Sequence, residues 1–391
     1  MAGFAKRQGD FTSVEGELEI NGLLLESGET STLLLTFDLL YVGEALRTAA
    51  LKSIADRVPD AAVLTAASHT HYAPATDSTK PRLGAVDPAY LEFVETKIDE
   101  LVTALWQAPA RPASLFVGQT SVQENINRRV ARWAVGPRGI RKQQLAPNPN
   151  APCDDRMRVV DVRGEDGQSL AMIWGYACHP VGFPVRRGIH PGYPGVVRDS
   201  LRAGTDTPIL FLQGFAGDIR PRVFDRRRSF LPWLRRVLNG PQFGAFTRPE
   251  WDDWSAKIAS AATTAHHAAT KVGPTALEAR RLEQPLSDVL TECESQETLS
   301  WQRIKIANEI EFIGVSAEPV AAFGHALGES AWAVGCLDHV FGYFPMDSMV
   351  PEGGYEVTGF LEPFGHQGTL QSDLDAKFRA AVKSLNSRQD A

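Results

Sequence analysis

The sequence predicts an α/β protein with a mixed β-sheet core flanked by helices. Two observations carry this. Short apolar runs of strand length alternate with segments of helical periodicity through most of the chain. That β-α-β-α-β order is the signature of a sheet covered by helices on its faces.

The elements follow in order. Thr32–Phe37 is a continuous apolar run that stops at Asp38, as a strand buried on both faces would read. Glu44–Val58 is expected to be a helix, and Ala61–Ala67 a second buried strand. Across Pro88–Ala108, Leu91, Val94, Ile98, Leu101, Val102 and Leu105 recur at helical spacing. Ser114–Val117 is a third strand. Arg158–Val162 and Leu170–Tyr176 read as a hairpin closed through Gly164-Glu-Asp-Gly167. Pro208–Leu212 is another buried strand, and Trp251–Val272 a long Ala-rich helix. Trp301–Ala307 and Glu309–Val315 are expected to pair about Asn308, and Lys377–Leu385 to lie in a last helix. Two stretches break the rhythm. Arg129–Pro152, rich in Arg, Pro, Gly and Asn, is expected to be a long ordered loop. Arg220–Pro249 mixes arginines with Phe230, Trp233 and Leu234, as a lid or binding loop would. With no repeat and no linker, residues 1–391 are expected to form a single domain.

Composition bounds the function. The chain has 391 residues, 43% hydrophobic, and a formal net charge of −7. That balance argues against a general nucleic-acid binder, which needs a clustered positive field. The N-terminal segment lacks an apolar signal core, and no run of about 18 apolar residues occurs, so stable membrane insertion is not expected. The four cysteines form no CxxC pair and fit reduced thiols of a cytoplasmic protein. A zinc site here would have to use histidine and oxygen ligands.

The chemistry-bearing residues sit after strands, where ligands collect in α/β sheets. Ser68-His69-Thr70-His71 follows the strand Ala61–Ala67. Histidines at i and i+2 of an extended segment point to one side and can share one metal or its water. The competing reading is two surface histidines in a loop. His179, in Ala177-Cys-His-Pro180, ends another strand, and its plain alternative is a core histidine satisfied by a backbone carbonyl. Gln213-Gly-Phe-Ala-Gly-Asp218 follows a third. Asp218 could orient a ligating histidine, or merely cap a turn. Glu318 suits a metal ligand or base, or a carboxylate at a helix start. Tyr343 and Tyr355 could donate hydrogen bonds to an oxyanion, or pack.

The sequence resembles the catalytic domain of the neutral/alkaline, non-lysosomal ceramidases and their short bacterial relatives. The matching pieces, in that family's order, are Met1-Ala-Gly-Phe, Phe37-Asp38, Ser68-His-Thr-His71, Asn125-Ile-Asn-Arg128, Ala177-Cys-His-Pro180, Gln213-Gly-Phe-Ala-Gly-Asp218, Ala317-Glu-Pro319, and Gly342-Tyr343 with Tyr355-Glu356. The resemblance implies a ceramidase-like catalytic domain with insertions at about 129–152 and 220–249. It implies zinc ligands at His69, His179, Glu318 and Tyr343. It implies a catalytic His71 beside the metal-bound water, an Arg128 near the substrate carbonyl, and Tyr355 as a second active-site tyrosine.

Three departures stand out. The family's GDxSPN stretch reads Gly217-Asp-Ile-Arg220-Pro-Arg222, which removes a serine nucleophile there. The Asn-Arg motif runs on into Arg129-Val-Ala-Arg132 rather than Ser-Pro, so a different substrate mouth is expected. Neither the family's C-terminal immunoglobulin-like domain nor its secretion signal is expected. The expected activity is zinc-dependent hydrolysis of an amide (N-acyl) bond in a small molecule, with an anionic substrate group as one option for the Arg220–Pro249 insert. Ester or lactam hydrolysis, amide formation in biosynthesis, and a non-catalytic zinc-binding protein stand as alternatives.

Overall fold

After a two-residue strand, β1 (Ser13–Val14), the strand β2 (Ile20–Ser27) turns back into β3 (Thr30–Phe37) with Ser27 opposite Thr30. Only two residues close that hairpin, and Gly28 supplies the left-handed φ of 61° that so short a turn needs. Helix α1 (Gly43–Ala55) carries the chain to β4 (Ala62–Ala67), parallel to β3 and in register from Thr32↔Ala62 to Phe37↔Ala67. Helix α2 (Pro88–Gln107) starts where the Asp87 carboxylate accepts the Ala89 N–H at 3.0 Å. It buries Val94, Ile98 and Val102, four residues apart. The computed structural model describes residues 1–4, 7, 9–55, 57–133, 141–273, 277–293 and 296–387.

Strand β5 (Ala113–Ser121) runs well past the expected Ser114–Val117. The expected loop over Arg129–Pro152 is corrected. The strands β6 (Asn125–Trp133) and β7 (Arg141–Asn148) pair antiparallel there, while residues 134–140 lie outside the described residues. Arginine, Gln and Pro masked the strand pattern, because this ribbon lies outside the main sheets and needs no apolar face. Strands β8 (Arg156–Gly164) and β9 (Ser169–Tyr176) form the anticipated hairpin. Strand β10 (Gly188–Ile189) pairs with β1, and α3 (Tyr193–Arg202) leads to β11 (Ile209–Gln213), parallel to β9.

The second expected loop, Arg220–Pro249, also carries regular structure. Strand β12 (Ile219–Pro221) pairs with β6, and a helix, α4 (Phe230–Asn239), follows. Helix α5 (Arg248–His267) opens with a capping box between Thr247 and Glu250. It ends five residues before the expected Val272, because β13 (Thr270–Lys271) joins β5 at the sheet edge. Strands β14 (Glu278–Pro285), β15 (Thr298–Ala307) and β16 (Ile310–Val315) form an antiparallel run. The strand β17 (Glu318–Pro319), helix α6 (Ala321–Ala326), strands β18 (Ala331–Val334) and β19 (Tyr343–Phe344), and helices α7 (Leu361–Phe364) and α8 (Leu374–Asn386) complete the chain.

The sheets stack. Leu34 and Leu64 of β3–β4, Ile173 and Leu212 of β9–β11, and Phe312 and Val334 of β16–β18 share one buried cluster. On the far side of β9–β11, Trp174 and Phe211 meet Tyr193 of α3 and Trp254 of α5. On the opposite side, Leu33 and Leu35 bury against α1 and α2, and Trp301 packs edge-on to Phe378 of α8. The fold is therefore the expected mixed-sheet α/β architecture. Its consequence for function is directional: β4, β9, β11 and β16 all deliver their carboxyl ends to one region.

Candidate metal centre

His69 follows the end of β4 by two residues. Its φ is 67°, a left-handed conformation that is unfavourable for a residue with a Cβ. The expectation of an extended His-x-His segment is corrected accordingly. A bent backbone, not the pleat of a strand, brings His69 and His71 together, with ring centroids 5.0 Å apart and planes at 86°.

Two histidines are oriented by carbonyls. His69 Nδ1 lies 3.2 Å from Leu40 O, and His179 Nδ1 lies 2.7 Å from Ala216 O. A carbonyl only accepts, so each Nδ1 carries a proton, and in the neutral imidazole Nε2 then presents the lone pair. Both Nε2 atoms face the same oxygen: Glu318 Oε2 is 3.3 Å from His69 Nε2 and 3.2 Å from His179 Nε2. The other carboxylate oxygen, Oε1, accepts the Tyr41 hydroxyl at 2.6 Å. The parallel pair β17–β19 sets Tyr343 in register with Glu318, and its hydroxyl lies 3.5 Å from His179 Nε2. The carbonyl at residue 216, rather than Asp218, therefore does the orienting. Asp218 accepts from Asn127 Nδ2 at 2.6 Å and from the Ala321 N–H at 2.8 Å, tying β6 to the start of α6.

The electrostatics of this group favour positive charge at its centre. Glu318 Oε2 and His69 Nε2 are buried with no hydrogen-bond partner, and His179 Nε2 meets the Tyr343 hydroxyl only at the long distance of 3.5 Å. The possible ligand atoms of His69, His71 and His179 all lie within 4.8 Å of one another. Burial opposes ionisation of both the Glu318 carboxyl and His69, yet their mutual attraction holds Glu318 well below the usual carboxyl range and, together with Cys336, His69 well above the usual histidine range. Burial keeps His179 neutral, down to about 4, against the pull of Glu318. Two imidazoles, a carboxylate and a phenol form a donor set suited to zinc.

His71 stands beside this set. Burial, then the neighbouring His69 and His179, push its pKa well below the usual histidine range. Both ring nitrogens are covered and lack a partner. Phe4 packs on the ring at 4.8 Å between centroids. Gly3 approaches so closely, at φ 102°, that a Cβ there would stand 2.6 Å from His71 Nδ1. Only a glycine meets both conditions.

Across the centre, Arg128 and Arg129 are consecutive, yet both reach one carboxylate. Arg128 Nε donates to Glu356 Oε1 and Arg129 Nη1 to Glu356 Oε2, each at 2.7 Å. Successive side chains of a regular strand point apart. The register of β6 shifts between Asn127 and Arg129, and this bulge turns both inward. The Arg128 guanidinium lies 5.5 Å from the Tyr343 ring and 5.7 Å from the Tyr355 ring, and its Nη2 has no partner. Burial, then Glu318, raises the Tyr355 phenol to about 12, so it remains a donor at neutral pH.

The structure thus gathers His69, His71, His179, Glu318, Tyr343, Tyr355 and Arg128 into one centre. Tyr41, Leu40, Ala216 and Arg129 were not anticipated. The carbonyl contacts leave no side-chain signal, and Arg129 fell inside the expected loop. Two larger hollows lie elsewhere. One of about 480 Å³ is lined by Phe37, Tyr90, Phe93 and Leu101, and one of about 850 Å³ by Arg222, Phe243, Phe246 and Trp254.

No protein-family model and no curated protein matches the chain. Solved structures do. The crystal structure of neutral ceramidase from Pseudomonas aeruginosa superposes with a TM-score of 0.71 at 15% identity, covering 100% of this chain and 73% of that one. A ceramidase complexed with C2 gives 0.72 at 14% identity, covering 100% and 74%. At such identity the likeness establishes the fold.

Proposed function

We propose that this chain is a zinc-dependent hydrolase that cleaves an amide (N-acyl) bond of a small molecule by attack of water. The observation that carries this is the convergence of His69 Nε2 and His179 Nε2 on one buried oxygen, Glu318 Oε2, at 3.3 and 3.2 Å. The likeness of the fold to neutral ceramidases supports the same reading. His69, His179, Glu318 and Tyr343 would hold the ion. Zinc in such a set supplies a Lewis acid that polarises a carbonyl and lowers the pKa of water to about 7.

The remaining roles belong to the chain's own groups. His71, neutral and with free ring nitrogens, takes the proton of the attacking water. It returns that proton to the amine nitrogen as the carbon–nitrogen bond breaks. Tyr355, kept protonated, donates to the developing oxyanion. Arg128, fixed by Glu356, offers its unpartnered Nη2 to a substrate oxygen. Tyr41 holds the carboxylate of Glu318 in place.

The substrate carries an anionic group in this reading. Arg220 spreads over Phe243 at 4.7 Å, and among the described residues no carboxylate pairs with it. Burial, then Arg128, lowers its pKa to about 10. A substrate carboxylate or phosphate would satisfy it.

The test is metal analysis of the purified protein together with paired N-acyl and O-acyl substrates, with and without a carboxylate. One tightly held zinc per chain and release of free amine are expected. Full activity in metal-free protein would overturn the proposal.

A further inference from the structure

Helix α4 wears its apolar face outward. At about 100° per residue, Phe230, Leu231, Trp233, Leu234, Val237 and Leu238 fall within an arc of about 160°. A helix of a globular protein turns such a stripe to the core. Here Phe230 is 68% exposed and Leu238 71%, and this one helix holds half of the exposed large hydrophobic side chains among the described residues. Such a patch on a protein surface marks an interaction site. The helix is held in that attitude from beneath. Phe224 bridges Phe243 at the base of the insert, and Arg236 donates to Arg227 O at 2.6 Å.

Charge selects the partner. Beyond Arg220, residues 221–249 contain seven arginines and one aspartate, a net +6 in a chain whose total is −7. Arg222, Arg226 and Arg228 are exposed, and the lone Asp225 is taken up by Arg227 at 2.9 Å. The nearest acidic groups are engaged: Glu250 caps Thr247, Asp252 meets Arg248 at 3.0 Å, and Asp253 meets Lys257 at 2.7 Å. Apolar and aromatic side chains beside a basic cluster fit an anionic lipid surface, where rings and aliphatic groups enter the headgroup boundary and arginines meet phosphates. Ten residues span about 15 Å, half of a bilayer core, so the helix lies on the surface and does not cross it.

We infer that α4 and its arginine flank are an interfacial anchor that docks this protein reversibly on anionic membranes. No residue of α4 is among those that line the metal centre, so binding is expected with or without metal.

The experiment is co-sedimentation of the intact protein with vesicles of pure phosphatidylcholine and of phosphatidylcholine containing a third phosphatidylglycerol, at low and high salt. Binding to the anionic vesicles at least tenfold tighter, and lost at high salt, is expected. Trp233→Glu with Leu238→Glu should abolish it with an unchanged circular dichroism spectrum, because both side chains are exposed. Each of Arg226→Gln and Arg228→Gln should weaken it about fivefold, the equivalent of about 1 kcal/mol per charge. Equal binding to both vesicle types, or none, overturns the inference. So does a stable dimer in solution that the Trp233→Glu, Leu238→Glu protein no longer forms, since the face would then be covered by a second copy.

Discussion

Gly3 and His71 are in such close contact that a single added methyl group would stand 2.6 Å from the imidazole Nδ1. The N-terminal segment is thus a wall of the proposed catalytic site. Gly3→Ala should displace His71 without touching His69, His179 or Glu318. We expect kcat to fall on the order of 100-fold, the usual contribution of a general base, with zinc content unchanged. Parallel measurement of kcat and metal stoichiometry checks this. Normal turnover in the variant would remove His71 from the mechanism.

Metal should stabilise the fold. Zinc held at a thousand times its Kd adds about 4 kcal/mol by mass action. Chelation should therefore lower the Tm of the wild type. His179→Ala should show a low Tm that added zinc no longer raises. Identical melting of chelated and zinc-loaded wild type would count against the centre.

The Arg128–Glu356–Arg129 cluster is buried. Glu356→Ala leaves two guanidinium groups without their shared carboxylate. A loss of about 3–5 kcal/mol is expected, the range for breaking a buried ion pair. Urea denaturation measures it. Arg128→Lys should retain more stability, since a charge remains to face Glu356. It should still lower kcat, because an ammonium cannot reproduce the fork. Unchanged kcat in that variant would leave Arg128 a purely structural role.

Acid should act through His190. Its ring stacks on Phe183 at 4.1 Å, and its Nδ1 accepts the Gly192 N–H at 2.9 Å, which needs the neutral form. Burial, then Arg248, lowers its pKa to about 4. The folded value lies below the unfolded one of about 6.5, so the unfolded chain binds the extra proton between them. Stability should thus be full above about pH 6.5 and fall as the pH drops toward 4, by at most about 3 kcal/mol from this group. Other buried histidines add to the slope, so the readout is a difference. His190→Gln should lose less stability than the wild type between pH 7 and pH 4. Equal losses would show that His190 does not contribute.

Local pattern was enough for many of the strands and helices, though not for β2, α3 or β14, because each of those it found buries a face whose period is written in its apolar residues. Thr32–Phe37 and Ala61–Ala67 reappear as β3 and β4 almost residue for residue. The ribbon β6–β7 and the helix α4 were hidden, since neither turns an apolar stripe into the core. His69, His71, His179 and Glu318 stood out as candidates because they follow strands, while the ligand set and the place of Arg128 came from the resemblance to ceramidases.

Their arrangement was not legible. The sequence alone determined that His69, His71, His179 and Glu318 each follow a strand end. Only the tertiary structure decided that these three ends meet beside that of β11, that a left-handed His69 replaces the extended segment, and that a bulge aims both Arg128 and Arg129 at Glu356. It also decided which atoms do the orienting. The Leu40 and Ala216 carbonyls belong to the backbone, which every residue carries alike, so no side chain in the sequence could announce them.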